Sequence, residues 1–239
     1  MHLKTVFLTI AFSFFSTLNA QQSEPPQSAV DPNQVLERLL KGNERFVEGV
    51  SVHPHQDQET RTKTFKEGQK PLVSILSCSD SRVPPEEVFD VGVGDLFVVR
   101  VAGNVADRSE IGSLEYGVGH LGTPLLLVIG HTKCGAVTAV VQNSKLGGNI
   151  LSLTDNIIPA VKSVRSQYKD ISEDDLIQKS IKANVWQSIE DILKNSDEIR
   201  SLVKEGKLKV VGALYDIETG KVTSLGVHFR QEQIIQGEK

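Results

Sequence analysis

The residues of this chain best suited to chemistry fall in two short stretches, Cys78-Ser79-Asp80-Ser81-Arg82 and His131-Thr132-Lys133-Cys134-Gly135. Each follows an apolar run that reads as a buried strand, residues 72–76 before the first and 125–129 before the second. A Cys at one strand end, with a His and a Cys three apart at another, provides two thiolates and one imidazole. Catalytic zinc sites keep three protein ligands and an open fourth position, whereas structural ones are closed by four. The chain has two cysteines in all, and both belong to this set. The expected cofactor is one Zn2+ per chain, held by Cys78, His131 and Cys134. A disulfide is the lesser reading, because such bonds staple small exported folds that lack a core, and this chain is long enough to build one.

Asp80 and Arg82 follow Cys78 at alternate positions, which in extended chain places the three side chains on one face. The guanidinium fork can hold a carboxylate by two parallel bonds. A carboxylate so held is kept off the metal and can accept a hydrogen bond from water bound there. Released, Asp80 becomes a candidate fourth ligand. The plainer alternative is a surface ion pair, worth little.

The elements that must position these groups read as strands alternating with helices. Asp31-Pro32 looks like a helix start, with an apolar stripe of Val35, Leu36, Leu39, Leu40, Phe46 and Val47 running to Glu48. Residues 49–70 are polar and read as a solvated loop, His53-Pro54-His55 included. A first strand ends at Cys78, a short helix opens at Pro84-Pro85, and residues 95–101 form a second strand. Gly103-Asn104 reads as a turn, and a helix runs from Ser109 to Gly122. After the third strand come helices over 136–142, 150–169 and 174–196. A strand over 208–215 then turns at Thr219-Gly220 into an antiparallel edge over 222–227. This is a single α/β domain with a mostly parallel sheet flanked by helices. Ligands in such sheets collect at the carboxyl ends of the strands, where both halves of the cluster lie.

The chain has 239 residues and a net charge of −4, enough for one sizeable core and without the basic balance of a nucleic-acid binder. Residues 1–20 differ from the rest: Lys4, then an apolar run from Val6 to Phe15, then small and polar residues to Ala20. They read as a secretory signal peptide. Residues 21–30 read as a leader without fixed structure and 31–239 as the folded domain, with no membrane association after cleavage. The expected location is periplasmic or secreted.

Cys-x-Asp-x-Arg followed by His-x-x-Cys-Gly resembles the β-class carbonic anhydrases. The resemblance spans roughly residues 33–230 and takes in residues 39–43 with Phe46, Gln69, residues 97–100 and Ser113-Leu114-Glu115-Tyr116. It implies reversible hydration of carbon dioxide to bicarbonate and a proton by zinc-bound hydroxide, with Asp80 and Arg82 as the orienting dyad. It further implies that Gln69, Phe97 and Tyr116 line the substrate pocket, some lent by a neighbouring subunit, and that Gly135 keeps the chain thin beside the metal. The N-terminal helical arm would pack on a dimer partner, giving a homodimer or a dimer of dimers. Members whose Asp closes the site with bicarbonate bound nearby carry a Trp three residues before the first Cys. Here that position is Ile75, although Arg100 and Tyr215 match that subtype, so an open, water-bound zinc near neutral pH is expected. The rivals are a carbonyl sulfide or carbon disulfide hydrolase on the same scaffold, and a zinc-binding protein without turnover. A nucleotide-binding reading from Gly92-x-Gly94 fails, since the third glycine is missing and the pair precedes a strand.

Overall fold

A computed structural model describes residues 30–237. The expected signal peptide (1–20) and leader (21–30) lie outside the described residues, apart from Val30. Five strands form one sheet in the order β2-β1-β3-β4-β5. These are β1 (Val73–Ser77), β2 (Leu96–Arg100), β3 (Leu125–His131), β4 (Lys209–Tyr215) and β5 (Val222–Gly226). The first four run parallel, and β5 pairs antiparallel with β4 as the sequence suggested.

Strands β1 and β3 are buried at every position, because helices cover both faces of the sheet. That is why they read as continuous apolar runs and not as alternating ones. One face packs Ile75, Leu127 and Ile129 beneath α1 (Pro32–Glu48) and α3 (Pro85–Val88). The other packs Leu76, Leu126 and Val128 against Val185, Ile189 and Leu193 of α7 (Glu173–Asn195). At the carboxyl ends of the strands a third cluster joins Cys78 and Cys134 to Val137, Ile157 and Ile181. It is built by α5 (Gly135–Val141), α6 (Ile150–Gln167) and α7.

Helix α1 begins as expected, with the Asp31 carboxylate accepting from the Asn33 N–H and Pro32 in the first turn. Its Val35 and Leu39 join the core of their own chain. Asn43 anchors it there, donating to Val88 O at 3.0 Å and Gly220 O at 2.8 Å and accepting from Val222 N at 2.7 Å. The arm expected to pack on a partner is therefore bound at its start to its own sheet. The part left free of its own core is α2 (Gln58–Glu67), which has no buried residue and carries Phe65 at 88% exposure.

That helix corrects the reading of 49–70 as loop throughout. Its polar faces gave no periodicity, and only the Asp57 cap and the Gly68 stop mark it. The His53-Pro54-His55 stretch before it is loop, as read. It is tied down where the His53 N–H meets Asp90 at 2.8 Å and the His55 ring meets Asp95 at 2.8 Å. The helix expected to reach Gly122 ends sooner: α4 (Arg108–Glu115) passes into a single π-helical turn at Tyr116–His120. Two short helices went unread, α8 (Asp197–Lys204) and α9 (Gln231–Gln236). Ser196 ends α7 and caps α8, accepting from the Ile199 N–H, so the break lies inside one continuous helical pattern.

Candidate metal centre

Cys78 is the first residue past β1, His131 is the last of β3, and Cys134 precedes the first turn of α5. Parallel pairing of β1 with β3 sets these two strand ends side by side. The turn between His131 and Cys134 carries Lys133 at φ 57°, a left-handed conformation that non-glycine residues seldom adopt. It folds the chain back so that Cys134 faces His131. The Sγ atoms of Cys78 and Cys134 and a ring nitrogen of His131 all lie within 4.8 Å of one another, and all three residues are buried.

The donor set fits a divalent cation. His131 Nδ1 lies 2.9 Å from Thr132 O, and a carbonyl can only accept, so Nδ1 carries the proton and Nε2 presents a lone pair. That Nε2 is buried and has no hydrogen-bond partner among the described residues, a costly state for a polar atom in a protein interior. A metal ion would satisfy it, and the bond made by the other nitrogen fixes the tautomer and aim of the ring. The two thiols behave as a coupled pair. The Cys78 thiol is lowered, first because Cys134 donates to its sulfur, against the raising effect of burial and with further help from the Gly103 N–H. The Cys134 thiol is pushed up, because its proton is held by Cys78 and it is itself buried. Without a cation the pair therefore favours a single negative charge, and two adjacent thiolates require a cation between them.

Asp80 and Arg82 do pair, but not in extended chain. Residues 80–83 form a tight turn closed by Val83 N to Asp80 O at 3.0 Å. The Asp80 carboxylate accepts from the Arg82 backbone N–H at 3.0 Å, from Nε at 2.9 Å and from Nη2 at 2.7 Å. An Asp side chain bonding the amide two residues on is a recurrent turn device, and here it brings fork and carboxylate together. The Arg82 fork holds the Asp80 carboxyl well below the usual carboxylate range. Asp80 Oδ2 is 3.9 Å from His131 Nε2, beside the cluster. Arg100, at the end of β2, donates to Cys78 O at 3.2 Å and Asp80 O at 2.7 Å, fixing this stretch from outside. Ile75 is fully buried in the apolar cluster that also holds Tyr215.

The remaining candidates do not join the cluster within one chain. Phe97 pairs in register with Ser74, four residues short of Cys78, which is roughly 13 Å along a strand. It packs on Tyr116, with ring centroids 5.8 Å apart. The two line an open recess of about 620 Å³ with Arg108, Ser109, Gly112 and Ser113. Gln69 is exposed and precedes β1, whereas Cys78 follows it. Gly135 does lie at the centre, where an added Cβ would meet open space. Sequence reading missed Gly103, whose backbone N–H points at Cys78 Sγ from 3.2 Å. Its only signal was the Gly-Asn pair, taken there as a turn.

A mostly parallel α/β sheet carrying two thiols and an imidazole at adjacent strand ends is a scaffold able to hold a metal ion. A family model described as carbonic anhydrase matches residues 73–222. Carbonic anhydrase 2 of Mycobacterium tuberculosis is 35% identical over 195 residues, covering 80% of this chain and 91% of that protein. A carbonic anhydrase of Synechococcus elongatus is 32% identical over 200 residues, covering 80% of this chain and 71% of that one. Among solved structures, the β-carbonic anhydrase CcaA superimposes with a TM-score of 0.64 at 29% identity, over 80% of this chain and 94% of that one. One of two tetrameric β-carbonic anhydrases from Sordaria macrospora does so with a TM-score of 0.61 at 26% identity, over 81% of this chain and 98% of that one. The chain belongs to the β-class carbonic anhydrases, a family of enzymes.

Proposed function

We propose that the protein catalyses the reversible hydration of carbon dioxide to bicarbonate and a proton, with one Zn2+ held by Cys78, His131 and Cys134. The observation that carries this reading is the convergence of two sulfurs on a buried, partnerless His131 Nε2 beside a carboxylate clamped by Arg82. Such an ion supplies Lewis acidity that brings a water's pKa down toward neutrality, an effect whose standard example is a carbonic anhydrase with three histidine ligands.

The chain's own residues do the rest. Asp80 stays ionised through the neutral range because Arg82 holds it, so it serves as an acceptor that orients the attacking oxygen toward the substrate carbon. The same fork keeps Asp80 from closing the site, which supports an open centre near neutral pH. Gly135 directly follows the Cys134 ligand, where the space is open and an added Cβ would meet nothing within 4 Å. Phe97 and Tyr116 give apolar walls for carbon dioxide, and the Gln69 amide donates to the substrate oxygen that gains negative charge. Since β1 separates Gln69 and Phe97 from Cys78 of the same chain, and Tyr116 packs on Phe97, Gln69, Phe97 and Tyr116 serve the centre of a neighbouring subunit in a dimer or a dimer of dimers. The exposed Phe65 of α2 supports that assembly. The apolar run from Val6 to Phe15 supports export to a periplasm or beyond the cell.

The test is zinc content together with stopped-flow carbon dioxide hydration from mildly acidic to mildly basic pH, with carbonyl sulfide and carbon disulfide as parallel substrates. One zinc per chain, activity rising near neutral pH, and loss of both in Cys78→Ser are expected. Zinc bound without carbon dioxide turnover would overturn the proposal. It would leave a sulfide hydrolase if either parallel substrate turns over, and a zinc-binding protein if neither does.

A further inference from the structure

The sulfur of Cys78 receives a backbone N–H from Gly103 at 3.2 Å. The other face of that residue is also held: its carbonyl accepts from Asn184 Nδ2 at 2.7 Å, across 81 positions of sequence. One turn further along α7, the single hydroxyl proton of Ser188 is shared between Asn104 O at 2.8 Å and Asn184 O at 2.9 Å. Helix α7 thus grips two successive carbonyls of the turn Ala102–Asn104. Asn184 is 1% exposed, and Asn104 and Ser188 are 2% exposed. The α7 face around them is apolar, with Ile177, Ile181, Val185, Ile189 and Ile192 buried. Asparagine is a poor helix former, and an amide in an apolar setting costs free energy unless bonded. Asn184 Oδ1 has no hydrogen-bond partner among the described residues, so the bond from Nδ2 to Gly103 is what the side chain gains at this place.

We propose that Asn184 is a positioning residue for the Cys78 ligand. By holding the Gly103 carbonyl from α7, it aims the Gly103 N–H at the sulfur. A donor fixed on a ligating sulfur draws charge from it, and partners of this kind tune metal affinity and ligand strength. Ser188 reinforces the grip one residue along. The inference rests on the zinc reading above, and the experiment separates the two.

The test loads the full chain with zinc, and separately with cobalt(II), as wild type, Asn184→Leu, Ser188→Ala and Ser180→Ala. Ser180 lies on the same helix, is fully buried and has no bonded partner, so it controls for general loosening of α7. In Asn184→Leu, zinc release to excess chelator is expected to quicken about tenfold or more. The cobalt–thiolate charge-transfer band should move to longer wavelength as the sulfur regains electron density. Ser188→Ala, which loses a single oxygen, should shift both readouts the same way by less, and it decides the matter if Asn184→Leu does not fold. Ser180→Ala should match wild type. A purely structural Asn184 would lower the melting temperature and leave the band in place. Wild-type band and release rate (within twofold) in the variants that fold, or equal shifts in Ser180→Ala, overturn the proposal. Wild-type protein that binds neither metal overturns the zinc reading instead.

Discussion

Gly103 sits where backbone strain and packing both bear on the metal centre, and Gly103→Ala separates their magnitudes. Its φ of 77° and ψ of 11° are left-handed, which costs an L-residue about 1–2 kcal/mol. An added Cβ would also lie 2.8 Å from Ile157 Cδ1 and 3.2 Å from Ala136 Cβ. Crowding of that kind in a packed core costs about 1–3 kcal/mol. The substitution should therefore destabilise by about 2–5 kcal/mol, the sum of both effects. For a chain of this size that corresponds to roughly 4–20 °C in melting temperature. Ile157→Val removes the crowding Cδ1 and by itself costs about 0.5–1.5 kcal/mol. In the double mutant the backbone part and the approach to Ala136 Cβ should remain, so a double-mutant cycle should show favourable coupling of at most about 1–3 kcal/mol. The assay is equilibrium urea unfolding of the metal-free protein at fixed protein concentration, where zinc binding cannot mask the difference. A loss below about 1 kcal/mol would mean that the turn relaxes freely. A large loss with no coupling to Ile157 would place the whole cost in the backbone. Either result refutes the reasoning from close approach.

Two further outcomes follow from charge. Arg82→Ala removes the fork that depresses the Asp80 carboxyl, and turnover at neutral pH should fall about tenfold or more as the carboxylate loses its orientation. A carboxyl lowered in the folded state contributes stability that is full above its unfolded value of about 3.9 and is lost progressively as pH falls from there through the lower folded value. Acid unfolding of Arg82→Ala, followed by Trp186 fluorescence, should therefore set in at higher pH than wild type, and an unchanged midpoint would count against the clamp. Asp191 behaves in the opposite sense: burial raises it to about 6, with Glu190 and Asp107 adding to the effect against a lowering bond from Gln187. A raised carboxyl makes the folded state lose stability as pH climbs from about 4 to about 6. Asp191→Asn keeps an oxygen for the Gln187 amide, so it should flatten that slope and add about 1–2 kcal/mol at pH 7, after discounting for partial exposure. A variant less stable than wild type at pH 7 would show that the ionised carboxylate is needed.

Much of this molecule was legible before any coordinates. The runs before Cys78 and His131 announced two-sided buried strands, because a parallel sheet covered on both faces leaves no position for water. Ligand chemistry then followed from residue type alone, since only two thiols and an imidazole stood at those strand ends. The edge hairpin was written in Thr219-Gly220, where φ of 74° at the glycine closes the turn into β5. These are local signals, carried by a few adjacent residues.

What the tertiary structure decided are the relations that span the chain. Helix α2 left no periodic trace because it buries nothing, and periodicity reports burial more than helicity. The Asp80–Arg82 pair was right in its partners and wrong in its backbone, because a turn and an extended segment both bring residues two apart together. Register places Phe97 apart from its own chain's cysteines, Tyr116 goes with it through their ring contact, and Gln69 stands before β1, since sequence spacing carries no direction along a strand. The grip of Asn184 on Gly103 was invisible in principle. An asparagine in an amphipathic helix looks like any polar residue until packing sets it against a carbonyl 81 positions away, on a residue whose own N–H meets the Cys78 sulfur. The sequence determined which groups could bind the metal, and the packing of α7 over the strand ends determined how firmly they are aimed.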